Sequence, residues 1–205
     1  MDTRERILES ALDLFSHRGY SGTSMNDIAS TLGITKAALY KHYKGKQEIL
    51  DSIVVKMVEM DGERAEEDGV PEEDKDVSSD GYDTVTLKNI EDFTLGQYDF
   101  WTKDSFASRF RRMLILEEYG DEKMMALYQK CLVSGPVDYS KDLFLSLQTR
   151  GEVKEGNPEA FATRLYSYLF LSLSLFDGGR DGKPILTELV KKFMEEVESV
   201  PVQEK

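Results

Sequence analysis

Cysteine is almost absent from this chain of 205 residues, in which Cys131 is the single example. One thiol cannot form an internal disulfide framework, which fits a protein of a reducing compartment. Long apolar runs are missing too, because no stretch reaches the roughly 18 to 20 residues that a transmembrane helix needs. The first residues, MDTRERIL, do not have the pattern of a secretory signal. We therefore expect a cytoplasmic protein with no membrane partner.

Residues for metal binding and catalysis are also scarce. The chain has two histidines, His17 and His42, and no cysteine–histidine cluster of the kind that holds zinc. It has no G-x-S-x-G segment, which marks the nucleophile of many hydrolases. Residues 178–184, GGRDGKP, are one residue too short between glycines for a phosphate-binding loop. We expect no metal, no cofactor and no enzyme activity.

Two short helical patterns separated by a glycine lie between Ser24 and Tyr43. Ser24 and, three residues later, Asp27 can form a capping box at the start of the first helix. Gly33 can adopt the left-handed backbone that ends a helix, and Thr35 can cap the next one. The turn then consists of Gly33, Ile34 and Thr35. A three-residue turn between two short helices predicts a helix-turn-helix, whose second helix enters the major groove of DNA.

The second of these helices has a polar face made of cations, a small residue and hydrogen-bonding aromatic rings. Such a mixture suits contacts with phosphates and base edges. Short helix pairs with a glycine turn also occur in other proteins, however, and a lysine-rich stretch often forms an ordinary solvated surface. Spacing alone leaves both interpretations open for the residues of this face: Lys36, Ala37, Tyr40, Lys41 and His42.

Charge is distributed unevenly along the chain. The net charge of −13 and the isoelectric point near 4.7 argue against a protein that coats nucleic acid indiscriminately. Residues 36–46, in contrast, contain four lysines and no acidic residue. An acidic chain with one basic region favours a single orientation on DNA.

Four segments within residues 1–60 make the assignment more specific. In order, they are RERILESALDLFSHRGY, TSMNDIA, LGIT and ALYKHYKGKQEIL. This block resembles the DNA-binding domain of TetR-family transcriptional regulators. The resemblance implies an all-α fold, with a three-helix helix-turn-helix domain at residues 1–48 and a helical effector-binding and dimerisation domain at residues 49–205. A fourth helix, from residue 46, connects the two.

The resemblance also implies a function and a set of contacts. A homodimeric repressor binds double-stranded DNA at an inverted-repeat operator with half-sites about 34 to 36 Å apart or a multiple of that. Phosphates are held at the N-termini of the second and fourth helices, where the helix dipole is positive. The candidate DNA-binding residues are Thr23, Ser24, Thr35, Lys36, Ala37, Tyr40, Lys41, His42, Gly45 and Lys46.

The rest of the chain alternates between an acidic segment and helical patterns. Residues 61–83 hold eleven acidic and two basic residues, which predicts a linker or the end of a helix. A break is expected at Gly135-Pro136. The expected helices span residues 84–103, 104–119, 122–133, 137–148, 158–176 and 184–199.

The last two helices each have one broad apolar face. These faces can pack against a second copy of the chain as a four-helix bundle, or they can close the core of their own subunit. The TetR resemblance favours the first arrangement, since members of that family dimerise through their final helices. The candidate interface residues are Phe161, Leu165, Tyr168, Leu169, Leu173, Phe176, Leu186, Leu189, Val190, Phe193 and Val197.

Aromatic residues are frequent between the two ends of the chain. Any one of them can belong to an ordinary core, but together they suit an apolar pocket with a few polar groups. The resemblance implies that a small-molecule effector binds in this region and shifts the dimer away from its operator, with the fourth helix as the lever. The candidate ligand residues are Tyr98, Trp101, Phe110, Met113, Tyr128 and Phe144.

Two other functions are compatible with these patterns. The first is a DNA-binding protein of the same fold that is controlled by a protein partner and has no small-molecule effector. The second is an enzyme that uses the aromatic region as a substrate pocket.

Overall fold

The computed structural model describes residues 2–72 and 82–199, which form ten α-helices and a short 3-10 turn, Tyr82–Thr84, with no β-strand among them. The all-α fold class is confirmed. The helices are α1 (Thr3–Arg18), α2 (Met25–Thr31), α3 (Lys36–Tyr40), α4 (Lys46–Glu67), α5 (Leu87–Lys103), α6 (Ser105–Leu116), α7 (Glu122–Leu132), α8 (Ser134–Thr149), α9 (Pro158–Asp177) and α10 (Lys183–Val197).

The chain divides into two compact units that do not follow its sequence order. The first unit contains the chain up to Asp61 together with Lys103–Leu132, so that α6 and α7 pack with α1–α3. The second contains Gly62–Thr102 and the chain from Val133 onward. A functional division at residue 48 stays a prediction.

Helix α1 is the centre of the first unit. Asp2 caps it by accepting a hydrogen bond from the N–H of Glu5 at 2.8 Å, and it ends where Gly19 adopts a φ of 75°. Its apolar residues form one stripe with helical spacing, and α6 packs against this helix. The buried residues of this stripe include Ile7, Leu8, Ala11, Leu12 and Phe15.

An ion-pair cluster joins α1, α4 and α6 within the same unit. The Nη2 of Arg109 lies 2.6 Å from the Oε2 of Glu9, and the Nζ of Lys56 lies 3.2 Å from its Oε1. Partial burial alone would raise the pKa of Glu9, but the hydrogen bonds from Arg109 and Lys56 outweigh it and lower the pKa. The carboxylate is therefore held in its charged form by groups from two other helices.

In the second unit, aromatic rings fill the space among α8, α9 and α10. The ring of Phe144 contacts those of Phe161 and Phe193 edge to face, with centroids 5.9 and 5.8 Å apart. At the surface, Arg164 of α9 forms two hydrogen bonds with the carboxylate of Glu196 of α10, at 2.7 and 2.6 Å. These contacts fix the three helices against one another.

The predicted break at Gly135-Pro136 was wrong. Helix α8 begins at Ser134, so Gly135 and Pro136 lie in its first turn instead of breaking the chain. Proline is tolerated there because the N–H groups of a first turn have no partner within the helix. The break falls earlier, at Val133, whose φ and ψ are −134° and −83°.

The acidic segment is partly helical. Its first residues belong to α4, which ends at Glu67, and residues 73–81 lie outside the described part of the chain. None of the helices in residues 2–72 and 82–199 is both long and apolar enough to span a membrane.

Candidate nucleic-acid interface

The helix-turn-helix forms by the local interactions that its sequence predicts. The N–H of Asp27 donates to the Oγ of Ser24 at 3.2 Å, and the N–H of Ser24 donates back to Oδ2 of Asp27 at 2.8 Å. This reciprocal pair is the predicted capping box, and it sets the start of α2.

The turn depends on the backbone of Gly33, whose φ is 66°. This left-handed conformation lets the N–H of Ile34 donate to the carbonyl of Ala29 at 3.0 Å, which closes the end of α2. Thr35 then begins α3, because its Oγ1 accepts the N–H of Ala38 at 3.1 Å. These hydrogen bonds end α2 and begin α3, so the turn between the two short helices is confined to residues 32–35.

Helix α3 is anchored from one side only. Leu39 is fully buried, and Ile28 and Ala29 of α2 are buried with it. The opposite face of α3 and the residues that follow it point into solvent. The candidate DNA-binding residues of this segment are therefore accessible. The exposed residues are Thr35, Lys36, Ala37, Tyr40, Lys41 and His42.

The candidate phosphate-binding residues are held differently from one another. Ser24 is exposed, whereas Thr23 is buried and its Oγ1 donates to the carbonyl of Gly19 at 2.9 Å. The Nζ of Lys46 donates to the carbonyls of Tyr20 and Thr23 at 2.6 and 2.8 Å. The Lys46 side chain is thus engaged within the protein, while Gly45 and Lys46 still lie at the N-terminus of α4.

A buried tyrosine, which is not among the predicted site residues, packs directly after the exposed face of α3. Tyr43 is almost fully buried, and the guanidinium carbon of Arg4 lies 4.7 Å from the centroid of its ring. Arg4 also approaches Glu48 of α4, with 3.7 Å between Nη2 and Oε1. The aromatic ring therefore lies between the start of α1 and the end of α3, a position that only the tertiary structure reveals.

The six candidate ligand residues are all buried, three in each compact unit. Tyr98 of α5 has its hydroxyl engaged at the start of α10, where it donates to Asp181 at 3.0 Å and accepts the N–H of Gly182 at 2.9 Å. In the second unit lie Tyr98, Trp101 and Phe144; in the first lie Phe110, Met113 and Tyr128.

Most candidate interface residues are buried within their own subunit. Phe161, Tyr168 and Leu189 are half-buried, and Phe176 is exposed. The remaining seven form part of the core of the second unit: Leu165, Leu169, Leu173, Leu186, Val190, Phe193 and Val197.

Other apolar side chains of the same two helices also face solvent. Together with Phe176, they define the exposed α9–α10 surface. The additional residues are Phe170, Leu171 and Ile185.

Comparison with known proteins gives the same assignment for the N-terminal region. Residues 7–53 match the sequence model of the family described as bacterial regulatory proteins, tetR family. The chain is 46% identical over 46 residues to IcaR of Staphylococcus epidermidis, a negative transcriptional regulator of the biofilm operon icaADBC. It is 44% identical over 52 residues to the transcriptional regulator AcrR of Shigella flexneri. These alignments cover 22% and 25% of this chain, and 25% and 24% of the relatives, so the chain spans about a quarter of their length.

Solved structures show the same fold over the whole length. SmeT, the repressor of the Stenotrophomonas maltophilia multidrug efflux pump SmeDEF, has a TM-score of 0.67 at 20% identity, covering 100% of this chain and 94% of that one. The SmeT–triclosan complex gives a TM-score of 0.71 at 18% identity, with 100% and 95% covered.

Proposed function

We propose that this chain, whose residues 7–53 match the tetR family of bacterial regulatory proteins, is a homodimeric, sequence-specific DNA-binding repressor that a small molecule releases from its operator. The observation that carries the proposal is the exposed polar face of α3, whose opposite side is anchored by fully buried Leu39. A short helix held in this way can enter a major groove without disturbing the core beneath it.

The DNA contacts that we propose are of two kinds. Lys36, Tyr40, Lys41 and His42 lie on or just beyond α3, where cationic and hydrogen-bonding groups can reach base edges and neighbouring phosphates. Backbone N–H groups at the starts of α2 and α4 approach the sugar–phosphate backbone, because those helix ends carry a partial positive charge.

Two copies of the chain provide two reading helices, which match the two halves of an inverted repeat. We propose the exposed α9–α10 surface as the contact between the copies. Solvent-exposed aromatic and aliphatic side chains there, including Phe170 and Leu171, gain by burial against a second copy.

The effector proposal is supported by the buried aromatic residues of the second unit, Tyr98, Trp101 and Phe144, and by the fold shared with SmeT, which has been solved with triclosan. A ligand that binds one conformation of the dimer more tightly shifts the population toward it, with a coupling of roughly 1 to 3 kcal/mol. Release of operator by small molecules supports this proposal. A protein that co-purifies and controls binding, with no compound that does so, supports the partner-controlled alternative instead.

The DNA-binding proposal is tested by capture of genomic DNA. Purified full-length protein is incubated with sheared genomic DNA from its source at near-physiological salt, and the retained fragments are sequenced. We expect one short palindrome to be enriched, because two symmetric reading helices select two symmetric half-sites. Retention without sequence preference, or no retention, would contradict the proposal. We also propose that the protein acts in the cytoplasm and that it is not an enzyme.

A further inference from the structure

The loop that joins α1 to α2, residues 19–23, is held by two side chains from distant parts of the sequence. The first, Glu117, lies just after the end of α6. Its Oε1 accepts the backbone N–H of Ser21 at 2.9 Å, and its Oε2 accepts the Oγ of Ser21 at 3.1 Å. The carboxylate is nearly inaccessible, with 5% of the residue exposed.

The second side chain is that of Lys46 on α4, which holds the same loop. Its ammonium donates to the carbonyls of Tyr20 and Thr23 and lies 4.1 Å from the centroid of the Tyr20 ring. Burial lowers the pKa of Lys46, an effect that the nearby carboxylate of Glu117 opposes. The acidic group therefore binds backbone and hydroxyl donors of the loop, and the basic group binds its carbonyls.

The fit around the carboxylate is close. A Cβ on Gly19 would lie 2.5 Å from the Oε1 of Glu117, so only glycine leaves room for the carboxylate at this position. The φ of Gly19, 75°, independently disfavours any other residue. Loop and carboxylate are thus matched in shape as well as in hydrogen bonding.

This loop sets the position at which the helix-turn-helix, α2 and α3, begins. It leads directly into Ser24, the cap of α2, and α2 in turn packs against α3. A shift of the loop therefore moves α2 and α3 relative to α1. The hydrogen bonds of Lys46 on α4 and of Glu117, just after α6, oppose that shift.

We propose that Glu117 and Lys46 are positioning residues for operator binding, which act together as a clamp on the α1–α2 loop. The inference rests on the proposed function and adds two points to it. Glu117, distant in sequence from the reading head, contributes to DNA affinity without touching DNA. The side chain of Lys46 contributes through the loop carbonyls and does not bind a phosphate.

The test uses full-length protein and the palindrome that the wild-type chain retains. We expect Glu117→Ala to weaken operator binding at least tenfold, because Ser21 loses both acceptors. Glu117→Gln keeps most of the affinity, since its amide oxygen can accept the Ser21 N–H and its amide nitrogen can donate to the Ser21 hydroxyl. Glu118→Ala, which removes the same charge one residue later, leaves affinity unchanged. Equal binding by Glu117→Ala and wild type would overturn the inference.

Salt dependence separates a clamp from a phosphate contact at Lys46. We expect Lys46→Met to weaken binding while the slope of log affinity against log salt concentration stays that of wild type. A slope reduced by about one for each chain would mean that the ammonium binds phosphate and would overturn the assignment.

A readout that does not need DNA covers the case of an unstable variant. Amide hydrogen exchange at Ser21, measured by NMR in the free protein, is expected to accelerate at least tenfold in Glu117→Ala and to stay slow in Glu117→Gln. Unchanged exchange in both would contradict the clamp. If the wild-type protein retains no DNA, the proposed function is contradicted. If the wild type binds DNA and the variants bind it equally well, only the clamp is contradicted.

Discussion

The guanidinium of Arg109 on α6 forms an ion pair with the carboxylate of Glu9 on α1, with 2.6 Å between Nη2 and Oε2. The two residues are 100 positions apart in sequence. Because Lys56 of α4 approaches the same carboxylate, three helices of the first unit meet at one partly buried negative charge.

This arrangement predicts how stability depends on pH. The pKa of Glu9 is lowered from its ordinary value of 4.5, so its contribution to stability is fully present above that pH and is lost as the pH falls through the lower, folded-state pKa. We expect Glu9→Gln to cost about 1 kcal/mol at pH 7 and progressively less below pH ~4. Urea unfolding of both proteins from pH 7 to pH 3 measures the difference. A difference that is constant with pH would contradict the prediction.

The reading face predicts the effect of removing one aromatic side chain. Tyr40 is 45% exposed, so Tyr40→Ala leaves a small stability change but removes a group that we expect to contact the operator. A loss of about 1 to 3 kcal/mol in binding free energy, a factor of roughly 5 to 150, is the size expected for a base contact. Fluorescence anisotropy with labelled operator measures it. Tyr119→Ala is the control, since that tyrosine is 90% exposed and lies outside the helix-turn-helix. Equal losses in the two variants would count against the assignment.

The turn between α2 and α3 makes a prediction about two glycines. An added Cβ meets no atom within 4 Å at Gly33 or at Gly45, and the two differ in that Gly33 has a φ of 66°. We expect Gly33→Ala to lower the free energy of unfolding by about 1 to 2 kcal/mol through backbone strain alone. Gly45→Ala is expected to change it by much less. Thermal unfolding of both variants is the measurement, and equal midpoints would show that the strain is relieved by movement of the turn.

The exposed α9–α10 surface predicts a variant with altered assembly. Leu171 is 55% exposed in the subunit, so Leu171→Glu is tolerated by the isolated fold but places a charge in the proposed contact between copies. We expect a dimer for the wild type and a monomer for this variant by light scattering coupled to size exclusion. Leu116→Glu, at an exposed leucine of α6 in the first unit, is the matched control. A dimer that survives Leu171→Glu would place the contact elsewhere.

The features that could be predicted from the sequence are those fixed by neighbours along the chain. The capping box of Ser24 and Asp27 joins residues three apart, and Gly33 acts through its own backbone, so both are visible in a short segment. The predicted start of α8 was wrong because a glycine followed by a proline is found both in loops and in the first turn of a helix.

The rest depended on contacts across the sequence. Glu117 and Ser21 are 96 residues apart, and no local pattern links them. Apolar periodicity placed Leu165, Leu169 and Leu173 on a buried face of α9 but also included Phe176, which is exposed. It could not tell whether a neighbouring helix or a second copy covers that face. The structure assigns Leu165 and Leu169 to the subunit core and leaves Phe170 and Leu171 at the surface.

The packing of α6 against α1 has a consequence for how this chain can be divided. The segment that matches the tetR family model, residues 7–53, is shorter than the compact unit that contains it, which also includes Lys103–Leu132. A fragment cut after α4 would expose to water the side of α1 that α6 covers, and would lose both Arg109 and Glu117. A graft of only the first 60 residues onto another protein would therefore transfer the proposed DNA-binding surface without the helices that pack beneath α1.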